Sequence, residues 1–131
     1  MIYRASATIL VNRFVKSSGT GTVATQTTSG GICLGVTTSG GRAAPIPLNT
    51  ADPVEAAQSG EDVLVLEGEP GERPEVLVGS GGLSAGGEIM SDTAGKGVAA
   101  TGTGKYVVGI ALATAAAGEL CPYKPCLYQL N

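Results

Sequence analysis

Apolar side chains recur at every second position through much of this chain, in runs too short for helices and closed by glycine. Thr20–Gln26 alternates threonine with smaller residues. Ile32–Val36 puts Ile32, Leu34 and Val36 on one face and Cys33 and Gly35 on the other. Tyr106–Leu112 sets Tyr106, Val108, Ile110 and Leu112 against Val107, Gly109 and Ala111. A period of two predicts β-strands. Val63–Leu66 and Val76–Val78 are short continuous apolar runs, which predicts the most deeply buried strands. Between them EGEPGERPE reads as a charged loop turning at Pro70-Gly71. Glu88–Met90 and Gly97–Ala100 flank SDTAGK, a hairpin whose Gly95 supplies the positive φ such turns need.

Three stretches depart from this rhythm. Residues 1–18 mix apolar and basic side chains with no tight turn after them. They read as an N-terminal arm, with Ile9, Leu10, Val11, Phe14 and Val15 as adhesive surface for its own sheet or a neighbour's. Asp52–Ser59 fits one short helix: Asp52 as N-cap, Pro53 at the first helical position, Glu55 completing a capping box and Gly60 as the stop. A turn is the alternative, because so short a helix has little stability alone. A faint internal echo also links Gly35 with Gly109 and Ile46 with Leu120, each pair 74 positions apart, as in a repeated strand–turn–strand unit.

Composition narrows the fold. The 131 residues contain 21 glycines, no tryptophan and one phenylalanine, so the core must be built from Val, Leu, Ile and Ala. Mean hydropathy is +0.23, which disfavours wholesale disorder. The expected fold is all-β: a compact β-barrel or β-sandwich over residues 19–131, preceded by the arm. Net charge is −3 and unevenly spread. Arg4, Arg13, Lys16 and Arg42 carry the first 51 residues without one acid, whereas residues 52–75 hold eight acids against Arg73. That asymmetry allows pairing of start to middle between copies, or it marks solvated loops. The three cysteines, Cys33, Cys121 and Cys126, are too few for a disulfide scaffold and fit a reducing compartment. They read as core fillers or exposed bystanders; a clip between Cys121 and Cys126 requires a bend at Pro122 or Pro125. The start lacks the order of a signal peptide, and no apolar run is long enough to span a bilayer, so no membrane contact is expected.

The residues for chemistry are missing. Without histidine there is no Ser-His-Asp or Cys-His arrangement and no ordinary zinc site. Gly95-Lys96 and Gly104-Lys105 fail the phosphate-loop template, which needs glycine five positions earlier and Ser or Thr next. Those positions hold Met90 and Gly97 in one case, Ala99 and Tyr106 in the other. The acids of residues 52–75 lack the order of a calcium loop, and aromatics interleaved with basic residues, as on a nucleic-acid platform, are absent. The expectation is a non-enzymatic protein with no cofactor, no metal and no nucleic-acid partner.

The Gly79–Leu120 segment resembles the small β-rich capsid cement, or head decoration, proteins of tailed phages. The elements that carry the likeness are Ala85–Asp92, Gly95–Val98, Val108–Leu112 and Ala115–Leu120, with Gly31–Leu48 also similar. Together they span about half the chain. The resemblance implies a compact β protein, a homotrimer, on the outer capsid surface of a virion made in a bacterial cytoplasm. It implies the major capsid protein as partner, with neighbouring subunits bridged. The basic, apolar arm residues Arg4, Arg13, Phe14 and Lys16 are then the candidate partner contacts. The alternative is a virion-surface β module that attaches to host glycans or a receptor; the lack of tryptophan counts against it.

Overall fold

The structure, a computed structural model, describes residues 1–38 and 55–131. Strands β1 (Ile2–Ala5), β3 (Phe14–Gly19), β4 (Thr22–Thr25), β5 (Gly35–Thr37) and β7 (Asp62–Leu66) close a barrel in the order β1-β4-β3-β5-β7. Its β1–β4 contact is parallel and the others are antiparallel. β2 (Ile9–Leu10) and β6 (Glu55–Ala57) pair as a two-stranded sheet. β8 (Glu75–Leu77), β9 (Glu88–Ser91), β10 (Gly97–Ala99), β11 (Tyr106–Ala111) and β12 (Leu120–Gln129) form a second sheet in the order β10-β9-β11-β12-β8. A parallel bridge from Val78 to Gly97 joins its two edges, so this half also curls shut. The all-β expectation holds, and no helix occurs among the described residues.

The two halves are the same structure twice. Val15↔Thr25, Lys16↔Ala24 and Ser17↔Val23 in the first become Ile89↔Ala99, Met90↔Val98 and Ser91↔Gly97 in the second, a uniform shift of 74. Phe14↔Val36 and Val15↔Gly35 likewise become Glu88↔Ile110 and Ile89↔Gly109. For the first strands β1 and β8 the shift is 73, and for the closing strands β7 and β12 it is 58: Thr37↔Val65 answers to Ala111↔Tyr123, and Tyr3↔Val63 to Val76↔Cys121. The drop arises because 24 residues separate β5 from β7 but only 8 separate β11 from β12. Even the small β2–β6 sheet has its counterpart, the Leu83↔Ala115 bridge. The turn before each closing strand is built alike: the Gln58 N–H donates to the Glu61 carboxylate and the Ala116 N–H to that of Glu119, both at 2.6 Å. The Gly35–Gly109 echo is therefore real. The other half of it is not: the counterpart of Leu120 is Asp62, and Ile46 lies outside the described residues.

Each barrel buries its own apolar cluster. Ile9, Val15, Val23, Val63 and Val65 fill the first; Val76, Val78, Leu83, Ile89, Cys121 and Tyr123 fill the second, with Phe14 and Val36 reaching in from the first. The Phe14 and Tyr123 rings meet edge to face, centroids 5.6 Å apart, a favoured aromatic geometry. Val63, Val65, Val76 and Val78 are buried, but Leu64, Leu66 and Leu77 between and beside them are only partly so. The most continuously buried strands are β9 and β11, not the two with continuous apolar runs.

Three further expectations are corrected. Residues 1–18 form no arm: β1 and β3 are barrel staves, β3 runs across the expected boundary to Gly19, and the chain divides instead at the Glu67–Pro74 linker between the barrels. The apolar side chains taken for adhesive surface there are mostly core. Glu55–Ala57 is strand β6, paired with β2, because Ala56 and Ala57 cover the barrel end beside Ile9; Asp52 and Pro53 lie outside the described residues. The strand expected from Ile32 starts at Gly35, leaving Ile32 51% exposed. Likewise β11 stops at Ala111 and leaves Leu112 exposed.

Candidate assembly surface

The seam between the barrels shows what this fold uses for contact. The β9–β10 turn of the second barrel docks on the start of β3 in the first. Gly95 C=O accepts from the Phe14 N–H at 2.7 Å, and Ser91 C=O from the Gly30 N–H at 2.8 Å. Asp92 makes the turn rigid by accepting from the Ala94 and Lys96 N–H groups at 2.8 and 2.9 Å. Gly95 has φ +77°, and a Cβ there would lie 2.8 Å from Thr25 Cγ2 and 2.9 Å from Phe14 O. Only glycine allows both the turn and the approach. β8 adds two contacts to Asn12: the Leu77 N–H donates to Asn12 C=O at 2.9 Å, and Asn12 Nδ2 donates to Glu75 C=O at 3.0 Å. Lys105 Nζ donates to Ser29 C=O at 3.0 Å.

Transferred by the internal repeat, the same two faces exist once more, open at the turn and at the strand start. The counterpart of the Gly30 N–H, that of Gly104, already donates to Leu130 C=O at 3.0 Å, however, and the Glu88 carboxylate already accepts from the Tyr128 hydroxyl. The counterpart of the docking turn is the β3–β4 turn at Gly21, φ +69°, where a Cβ would meet nothing within 4 Å. Beside it Met1, Ile2, Arg4 and Thr20 are exposed, Ile2 to 65%, and a polar hollow of about 300 Å³ lies among Ile2, Arg4, Gly21, Thr22 and Asp62. The counterpart of Phe14 is Glu88, and that of Thr25 is Ala99; both are exposed.

The four candidate contact residues do not form one site. Arg4 lies on the open face of β1. Arg13 is half-buried, its Nη1 donating to Val11 C=O at 2.9 Å; burial lowers its pKa, opposed by Asp92. Phe14 is wholly buried and cannot touch a partner. Lys16 Nζ donates to Thr27 Oγ1 at 3.2 Å. Sequence reasoning placed all four together because it read β1 to β3 as one free arm. It passed over Ile2, Gly21, Glu88 and Ala99, although the glycine shared by Gly21 and Gly95 lies on the same 74-residue spacing as Gly35 and Gly109.

Two other hollows are larger than the one beside Gly21. An apolar groove of about 350 Å³ runs between the barrels among Ile32, Leu34, Leu66, Val108 and Leu127. A larger hollow of about 580 Å³ lies among Arg73, Pro74, Leu112, Pro122 and Lys124. Cys33, Cys121 and Cys126 are free thiols. Burial pushes Cys33 up to about 12, outweighing the hydrogen bonds from Gln26 and Ser91, so it is a thiol, not a nucleophilic thiolate, near neutral pH. Tyr128 is pushed up to about 12, first by its hydrogen bond to the Glu88 carboxylate. No group of three or more potential metal ligands occurs among the described residues.

No protein-family model matches the chain, and no curated protein matches it. The solved structures do contain its fold. The N-terminal base of the head fibre protein gp8.5 of bacteriophage phi29 superposes with a TM-score of 0.66 over 100% of this chain and 96% of that one, at 16% sequence identity. The two proteins share an architecture from end to end.

Proposed function

We propose that this chain is a structural protein of a phage virion, seated on the outside of the head. The observation that carries the reading is the end-to-end likeness to a head fibre base, which leaves almost no part of either chain unmatched. The capsid cement resemblance of Gly79–Leu120 points to the same place in the particle. In this reading the chain is non-enzymatic, needs no cofactor, and has the major capsid protein and its own copies as partners, with no nucleic acid or membrane involved. It bridges neighbouring capsid subunits as a homotrimer on a threefold position, where its symmetry matches that of the site. Binding only the expanded shell stabilises that state by mass action, and several weak contacts held in one assembly give tight binding without a deep pocket. The glycan-attachment alternative has less support: Tyr128 is the one strongly exposed aromatic among the described residues, and its hydroxyl is engaged by Glu88.

The test is sedimentation of the purified protein with expanded, undecorated shells of the phage that encodes it. Co-sedimentation that saturates at a fixed ratio to capsid protein is the expected outcome. Protein left in the supernatant at micromolar concentration would sink the reading.

A further inference from the structure

The contact between the barrels is heterologous, since it joins two different faces of one repeated unit. A heterologous contact leaves one copy of each face unused, and such faces pair head to tail between molecules. Here both unused faces are on the surface. We infer that copies of this chain associate by repeating their own internal seam, with the Gly21 turn and β1 of one molecule docked on Gly86–Glu88 and Ala99 of the next.

Four observations carry this. The turns are equivalent, yet Gly95 is buried against Thr25, Phe14 and Arg13 whereas Gly21 faces open space. The backbone groups used in the seam also have counterparts. In the second barrel the Leu77 N–H and Gly95 C=O turn away from each other and bond Asn12 C=O and the Phe14 N–H. In the first barrel the counterpart groups, the Arg4 N–H and Gly21 C=O, bond each other at 3.0 Å. Docking would exchange that one bond for two, to Gly86 C=O and the Glu88 N–H. Charge is complementary, because the docking face carries exposed Arg4 and the receiving face exposed Glu88. Finally, Ile2 and Met1 on the docking face are among the most exposed large apolar side chains described, while their counterparts Glu75 and Pro74 are covered to half or more. The inference rests on the internal seam and does not depend on the virion reading.

Two substitutions separate the faces. Gly21→Asn keeps the positive φ, which asparagine tolerates, and has room in its own chain, but places a side chain where the seam allows none. Ala99→Arg blocks the receiving face at the position of Thr25. Light scattering after gel filtration should show wild-type protein as a multimer of the 12.9 kDa chain. Each variant alone should associate at least tenfold more weakly. Mixed, the two should form a 1:1 complex and nothing larger, because one intact face remains on each. The equimolar complex would itself show that both variants fold. Wild-type protein that stays monomeric at every concentration, or a multimer indifferent to both substitutions, would overturn the inference.

Discussion

Gly109 and Gly35 hold the same place in the two barrels, and neither has room for a methyl group. A Cβ on Gly109 would overlap the Tyr123 ring and lie 3.0 Å from Lys124 O; one on Gly35 would overlap Leu66 O. Their φ angles are ordinary, so the demand is for space and not for a left-handed backbone. Gly109→Ala should therefore lower unfolding free energy by about 1–3 kcal/mol through overpacking, read as a lower denaturant midpoint at unchanged slope. A midpoint equal to wild type would mean that Tyr123 does not fill this face. Residue identity announced the glycines but not their neighbours. Tyr123 was legible as apolar, yet nothing local says that its ring covers a glycine two strand positions away. Phe14 shows the same limit, since one aromatic in an otherwise exposed-looking segment reads as an anchor for a partner until the partner proves to be Tyr123.

The strands and turns themselves were largely readable, because alternation and positive-φ glycines are local properties. The closures were not. β1 pairs in parallel with β4 and antiparallel with β7 about 60 residues on, and no local pattern encodes a pairing at that distance. The Glu67–Pro74 linker lies between these extremes: its turn was expected at Pro70-Gly71, but its fastening is a long-side-chain effect. Glu72 Oε1 accepts from the N–H groups of Glu67, Gly68 and Glu69 at 3.2, 2.9 and 2.8 Å. Burial disfavours the ionised form, and the backbone donors, led by Glu69 and Gly68, outweigh it and hold the carboxyl below its ordinary 4.5. A depressed folded-state pKa contributes stability above the unfolded value, and that stability is lost as pH falls through the folded one. Thermal midpoints should thus drop on acidification below about pH 4.5, and Glu72→Gln should flatten part of that drop while lowering the midpoint near neutrality. Parallel pH profiles for the two proteins would exclude the linker as a source of acid sensitivity.

At the scale of the whole molecule, one barrel design serves twice with different connections. The second barrel closes with 8 residues between its last two strands where the first uses 24, so the extra residues are not needed to close the design. A chain in which residues 38–61 are replaced by the sequence of residues 112–119 should fold, with a far-ultraviolet spectrum of β type and a single cooperative melt. Loss of cooperativity would show that the longer connection stabilises the first barrel in a way the repeat does not predict. The duplication also bears on how the chain reaches its structure. Strands with one register can pair across repeats during folding, and interdomain misassembly is a characteristic failure of repeated folds. Sequence divergence works against this. Phe14 answers to Glu88 and Lys16 to Met90, so a β3 strand paired into the wrong barrel would bury a charge or strand an aromatic ring in water. Prominent among what the repeats still share is glycine, at 21 and 95, 30 and 104, 35 and 109, and 60 and 118. Those residues shape the backbone without labelling which barrel it belongs to, and the side chains that differ keep the two halves from exchanging strands.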